Sequence, residues 1–232
     1  MRCATLVLLL SLAACGAAPE RETVVEPAGA TPVRIHIFAG GQFAGSVSVA
    51  YNGARIDHLR LDNAEGEMVL HMAPGVATDS VFTCRWSLRS GGFGGRWQRL
   101  DTGGSRYEFD EGAPVRQITT SCDSVGRPAQ ALYRLKDETI ELAGFCFDAN
   151  DRPLSCVALD TSDYDLPGGR LEWQYDSAGR LASQIWDPPQ RQADWRVEVE
   201  YEGEGEVSPT IWRDIDRCLW LPLPILAQHL GL

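Results

Sequence analysis

A short corner that recurs along this chain limits its fold more than any other feature. In Trp173-Gln174-Tyr175-Asp176-Ser177-Ala178-Gly179-Arg180-Leu181, an alternating strand runs into Asp176, turns, and leaves after Gly179. Asp at the turn start accepts hydrogen bonds from backbone two residues on. Gly three residues later takes the left-handed conformation that a type I turn with a G1 bulge requires. Tyr175 is then expected to face Leu181 across the hairpin. Cys122-Asp123-Ser124-Val125-Gly126-Arg127-Pro128 repeats the frame. Phe147-Asp148-Ala149-Asn150-Asp151-Arg152-Pro153 repeats it with Asp151 in the Gly position, one of the few other residues that tolerates it. Tyr201-Glu202-Gly203-Glu204-Gly205-Glu206 carries Glu at the start and Gly205 in the Gly position. The turn starts at 123, 148, 176 and 202 are 25, 28 and 26 residues apart. Residues 62–68 and 101–104 are looser copies.

The flanks alternate with period two. Trp195, Val197, Val199 and Tyr201 interleave with Arg196, Glu198, Glu200 and Glu202; Leu171, Trp173 and Tyr175 interleave with Arg170, Glu172 and Gln174. Such alternation reads as antiparallel sheet with one wet face. Further turn signals fall between the repeats: Gly40-Gly41, Asn52-Gly53, Pro74-Gly75, Pro167-Gly168-Gly169 and Pro188-Pro189. Ser90 to Gly95 reads as a flexible Gly-rich loop. The expected fold is all-β: an antiparallel meander of roughly 12–14 strands over residues 33–212, curled into a barrel, half-barrel or folded sheet because strand twist accumulates. A membrane barrel is disfavoured, since its strands need roughly 9–11 residues with an apolar outer face.

The frame Tyr/Phe-Asp-x-x-Gly-Arg-Leu resembles the YD repeat of the Rhs family, best over residues 115–210. That resemblance implies architecture, a curled structural β-sheet, rather than catalysis. It also suggests an accessory or immunity role beside a Rhs-type toxin.

The first residues, MRCATLVLLLSLAACGAAPE, form an export signal. Arg2 is basic, and the apolar run from Leu6 to Leu12 is too short to span a bilayer, which needs about 20 residues. Leu12-Ala13-Ala14-Cys15 resembles the lipobox of bacterial lipoproteins. The resemblance implies cleavage after residue 14, lipidation of Cys15 and, because Gly16 rather than Asp follows, an outer-membrane address. Two or three acyl chains anchor firmly. Residues 15–32 read as the lipidated Cys and a flexible Pro, Gly and Glu-rich tether.

The net charge of −11 has no basic stripe to offset it, so nucleic acid is excluded as a partner. Five cysteines remain in the domain, Cys84, Cys122, Cys146, Cys156 and Cys218, and an exported protein meets an oxidising compartment. Fifteen arrangements of two bridges and one free thiol are open. Cys146–Cys156, flanking one turn, is preferred, and Cys84–Cys122 comes next. Without a CxxC, thiol redox catalysis and a zinc ribbon are not signalled.

Catalytic signals are sparse. His36, His58, His71 and His229 are scattered, and Asp57-His58 are strand neighbours expected to point to opposite faces. Asp160, Asp163 and Asp165 concentrate carboxylates in one turn without calcium-loop spacing. Arg127, Arg152 and Arg180 follow the turns and are expected to pair with the turn-start Asp, an anion-binding row being the rival reading. In the tail, residues 213–232, Pro222 and Pro224 argue against a regular helix or central strand. It reads as a plug for the sheet's open mouth, or as a partner or lipid contact.

The resulting expectation is a non-enzymatic envelope lipoprotein, a scaffold or binding module without metal or cofactor. Its partners are the membrane, through the lipid, and an envelope protein or apolar ligand. One rival is a half-barrel carrier with Trp173, Trp195 and Tyr201 lining an apolar ligand face. The other is a hydrolase with an unrecognised site.

Overall fold

The computed structural model describes residues 29–78, 80–100, 103–160, 169–188, 193–219 and 221–232. Cys15 and the tether up to residue 28 lie outside them, as do Asp163 and Asp165 of the acidic turn.

The fold is the expected all-β meander, and it closes. Fourteen antiparallel strands follow one another around a barrel. They are β1 (Thr31–Ala39), β2 (Gln42–Asn52), β3 (Arg55–Asn63), β4 (Met68–Ala77), β5 (Val81–Leu88), β6 (Gly91–Arg99) and β7 (Ser105–Phe109). The second half adds β8 (Val115–Cys122), β9 (Pro128–Leu135), β10 (Thr139–Phe147), β11 (Pro153–Asp160), β12 (Gly169–Tyr175), β13 (Leu181–Asp187) and β14 (Trp195–Glu202). β14 pairs with β1, for example Val197 with Ile37 and Val199 with Ile35, which seals the wall.

The alternation in sequence is the alternation in space. Ile35, Ile37, Val47, Leu59, Leu61, Leu70, Met72, Phe82, Trp86, Leu171, Trp195 and Val197 are buried and belong to one core. Their neighbours Arg34, Arg60, Arg85, Arg96, Arg170 and Arg196 are exposed. This wall is the inverse of a membrane barrel, whose apolar band faces outward. No described helix is long and apolar enough to cross a membrane.

About eight strands enclose a space that wall side chains alone can fill, and sixteen or more leave a channel. Fourteen strands leave a lumen that needs an additional occupant, and the C-terminal segment provides it. α1 (Pro209–Cys218), α2 (Leu223–Leu230) and the link between them carry Ile211, Ile215, Cys218, Leu221, Leu223, Ile225, Leu226 and Ala227, all buried in the same core as the wall. The expectation that Pro222 and Pro224 would bar a helix is corrected, and the boundary at 212/213 falls inside α1. Each helix has proline only at its start, where the missing N–H costs nothing: Pro209 opens α1, while Pro222 is the N-cap of α2 and Pro224 lies in its first turn. Gly231, at φ 70°, ends α2 in a left-handed cap. Helices of eight and ten residues are marginal alone; packing inside the barrel holds them.

The segment runs from one end of the barrel toward the other. Strand direction places the connections near Thr78, Gly126, Asp151 and Gly179, together with the start of β1, at one rim, here called the lower. Arg217 of α1 donates to the Thr78 carbonyl at that rim (3.3 Å). Trp86 Nε1 donates to the Cys218 carbonyl at 2.7 Å, and Trp186 Nε1 to Gln228 Oε1 of α2 at 2.7 Å. His229 reaches Glu138 (3.4 Å) in the β9–β10 connection at the upper rim.

Trp186 also covers Gly169 on β12. A Cβ on Gly169 would meet the Trp186 ring at 2.0 Å, and the ring is held by Gln228. Gly169→Ala is therefore expected to destabilise the fold by about 1–3 kcal/mol through overpacking, read as a lower urea midpoint at unchanged slope.

Candidate functional site

Three places combine polar chemistry with defined geometry: the lower-rim turns, the polar part of the plug and a cleft in the outer wall.

The turns form a ladder. Asp123 N–H donates to the Arg127 carbonyl (2.8 Å), and Gly126 N–H to the Asp123 carbonyl (3.0 Å). Asp123 Oδ1 accepts from the Val125 and Arg127 amides, and Oδ2 from Arg127 Nε at 2.9 Å. The turns at 148–152 and 176–180 repeat each of these bonds. Asp151 has φ 61°, the one positive value outside glycine among the described residues. Each arginine then lies over the aromatic ring that precedes the next turn: Arg127 over Phe147 (4.9 Å), Arg152 over Tyr175 (4.6 Å) and Arg180 over Tyr201 (4.8 Å). Arg127 Nη1 also reaches Asp151, and Arg152 Nη1 donates to the Gly179 carbonyl. Tyr175 and Tyr201 donate their hydroxyls to the Pro153 and Leu181 carbonyls. Tyr175 pairs with Leu181 in register. The guanidinium groups are thus engaged by their own carboxylates and the next ring, which disfavours the anion-binding row. The fourth corner differs: Gly203 and Gly205 both have positive φ after Glu202.

The turn carboxylates titrate low. The Arg127 amide, foremost, and the Arg127 guanidinium hold Asp123 below its ordinary range against some desolvation. At Asp148 and Asp176 burial is the largest influence and raises the pKa, yet amide and guanidinium bonds together outweigh it. Carboxylates with depressed folded pKa contribute stability that is present above their unfolded values, near 4, and lost as pH falls through the folded ones. Thermal stability is expected to drop below about pH 4. Asp176→Ala should lose about 1–2 kcal/mol at pH 7, comparable to losing a helix-capping side chain, and should show a shallower acid dependence in melts at pH 7 and 3.

The expected apolar ligand face does not assemble. Trp195 pairs with Ala39 and Trp186, Trp173 stacks near Phe145 (6.3 Å), and Tyr201 belongs to the ladder. Alternating strand ends set the three at different heights. The preferred disulfides are not formed either; none of the five described cysteines is in a disulfide. Cys146 is exposed while Cys156 is buried, its thiol pushed up to about 12 mainly by desolvation. Cys84 on β5 and Cys122 on β8 are three strands apart, roughly 14 Å at sheet spacing, beyond disulfide reach.

Asp57 and His58 do touch, with Oδ2 2.8 Å from Nδ1, contrary to the expected opposite faces. The register slips between Ala50 and Tyr51, so Asp57 is the extra residue of a bulge and swings alongside His58. His71 lies 5.1 Å away, its pKa lowered first by desolvation and then by His58 and Arg60. His58 and Asp57 sit on the outer wall, at side-chain exposures of 38% and 57%. Among the described residues no group of three or more His, Cys, Asp or Glu converges on a metal position.

In the plug, Arg217 stacks over Trp97 at 3.8 Å and faces Phe82 at 5.6 Å. Desolvation raises the Asp214 carboxyl, opposed by Arg213 and Arg217 at 3.7 and 3.9 Å. The Arg217 contacts fix α1 against β5 and β6.

The outer wall holds a cleft of about 670 Å³ over β4–β7, lined by Ala73, Thr83, Arg85, Arg96, Glu108 and Asp110, with Gly94 and Gly95 in its floor. The stretch read as a flexible Gly-rich loop is here strand β6. Its glycines answer to neighbours remote in sequence. A Cβ on Gly95 would meet Trp86, Tyr107 and Phe109 at 2.9–3.0 Å, and one on Gly94 would meet Asp110 Oδ2 at 2.6 Å. Asp110 accepts the Gly94 amide at 2.9 Å. Small Ala73 and Gly94 between arginines and carboxylates create a trough with both charges on its walls. No family model matches the chain, and a comparison with curated proteins finds no match.

Proposed function

We propose that the protein is a lipid-anchored, non-enzymatic binding module of the bacterial cell envelope, with the cleft over β6 as its recognition surface. One observation carries this reading: the lumen, where a barrel would hold a ligand, is filled by the chain's own helices, whereas the outer wall offers a concave trough of mixed charge. The filled lumen also weighs against the carrier of apolar ligands. A closed barrel has no free strand edge to extend, so a partner must be read through side chains. Arg85 and Arg96 beside Glu108 and Asp110 suit a protein segment carrying both charges.

Cys15 lies sixteen residues before Thr31, and β1 starts at the lower rim. A lipid there would hang the barrel with its turn ladder toward the membrane. Fractionation tests the anchor: Cys15→Ala is expected to release the protein from membranes, and retention there would refute lipidation. Affinity capture from detergent-solubilised envelopes tests the cleft. Arg85→Glu with Arg96→Glu, both exposed, should weaken recovery of the partner by about tenfold or more. Unchanged recovery would remove the cleft from the proposal.

A further inference from the structure

We infer that Cys84 and Cys218 form a disulfide that fastens the C-terminal plug to the barrel wall. Cys84 faces the lumen between Phe82 and Trp86 on β5, 2% exposed; Cys218 ends α1 and is fully buried. Both side chains belong to the same buried core, and Cys84 is among the groups that raise the Cys218 thiol. They are held in place from both sides, since Trp86, two residues from Cys84, donates to the carbonyl of Cys218 itself. Of the five described cysteines three are buried, and the third, Cys156, lies on β11, six strands from β5.

The bond requires an approach of two side chains that the Trp86–Cys218 hydrogen bond already holds in the same part of the core. As it forms, the two S–H bonds break, two electrons pass to an oxidant, and two protons leave. The oxidant is a disulfide of a protein or small molecule, reduced in turn to two thiols. Timing follows from burial. Desolvation, aided by the Cys84 thiol, raises Cys218 well above its ordinary range, so the docked Cys218 thiol is neutral and shielded. Oxidation therefore belongs to folding, while α1 is still entering the lumen, and the finished bond resists reduction until the barrel opens. The bond would join positions 134 residues apart and fix the segment that fills the core.

The test uses the mature chain refolded with glutathione disulfide, and in parallel the chain recovered from the envelope. Each is unfolded with a thiol-alkylating reagent present, digested and mapped by mass spectrometry without reductant. A peptide pair linking Cys84 to Cys218, lost on reduction, is expected in both samples. In the native state a mild reductant should leave it intact for far longer than in denaturant. Alkylation of both residues in the two samples, or linkage of either to a different cysteine, would overturn the inference. The refolded sample makes the result independent of where the protein resides, so failure of the envelope assignment and failure of the disulfide remain distinguishable.

Discussion

Removal of residues 209–232 is expected to abolish the native barrel rather than weaken it. The deletion withdraws Ile211, Ile215, Leu221, Leu223, Ile225 and Leu226 from the core in one step. A single buried Leu→Ala change that leaves a cavity costs about 2–5 kcal/mol, and whole domains are stable by only about 5–15 kcal/mol. Wall residues Leu59, Leu61, Met72 and Trp86 would face an empty lumen too wide for them to fill. The truncated chain should lose its cooperative melt and near-ultraviolet dichroism and bind an apolar dye. A sharp transition at the wild-type midpoint would show that the wall stands unaided. Adding a peptide of residues 209–232 should recover part of the transition.

Trp86→Ala carries the largest effect expected of any single substitution. The ring is 1% exposed and stacks on Phe93 at 5.1 Å, with Tyr107 and Phe109 at 5.7 and 5.3 Å. It also covers the floor of the outer cleft, where Gly95 has no side chain because the ring occupies that space. Truncation at such a site costs about 3–5 kcal/mol, or roughly 6–20 °C in melting temperature for a domain of this size. Trp86→Phe separates the two contributions. It keeps most of the packing but leaves the Cys218 carbonyl without its donor, a cost of about 1–3 kcal/mol. Calorimetry should rank the variants wild type, Phe, Ala; equal losses for Phe and Ala would place the whole effect in the hydrogen bond.

What was legible in the sequence was local. The Asp-x-x-Gly-Arg corner encodes its own turn, down to Asp151 in a left-handed conformation, because every bond in it spans four residues or fewer. Period two assigned the faces correctly at Trp195 and Val197, both buried. The errors arose where distant residues decide. The glycines of β6 resemble a loop until Trp86, Tyr107, Phe109 and Asp110 are seen to occupy their missing side chains. The tail prolines resemble helix breakers until each is found at a helix start. The Asp57–His58 contact depends on a bulge set by pairing with β2. The two cysteines proposed to bond are 134 residues apart, and the spacing that favoured Cys146–Cys156 says nothing about which wall face each occupies.

Pairing of β1 with β14 has a kinetic consequence. The seam joins Ile37 to Val197, so it forms only after nearly the whole polypeptide has emerged. Until then any partly folded sheet carries two raw margins, both able to recruit another chain. Contacts so distant along the backbone are slow to form. Newly made molecules are therefore most vulnerable to clumping in the interval before the ring shuts, and a chaperone that shields strand margins during that interval should raise the yield of folded protein more than one acting on the finished barrel.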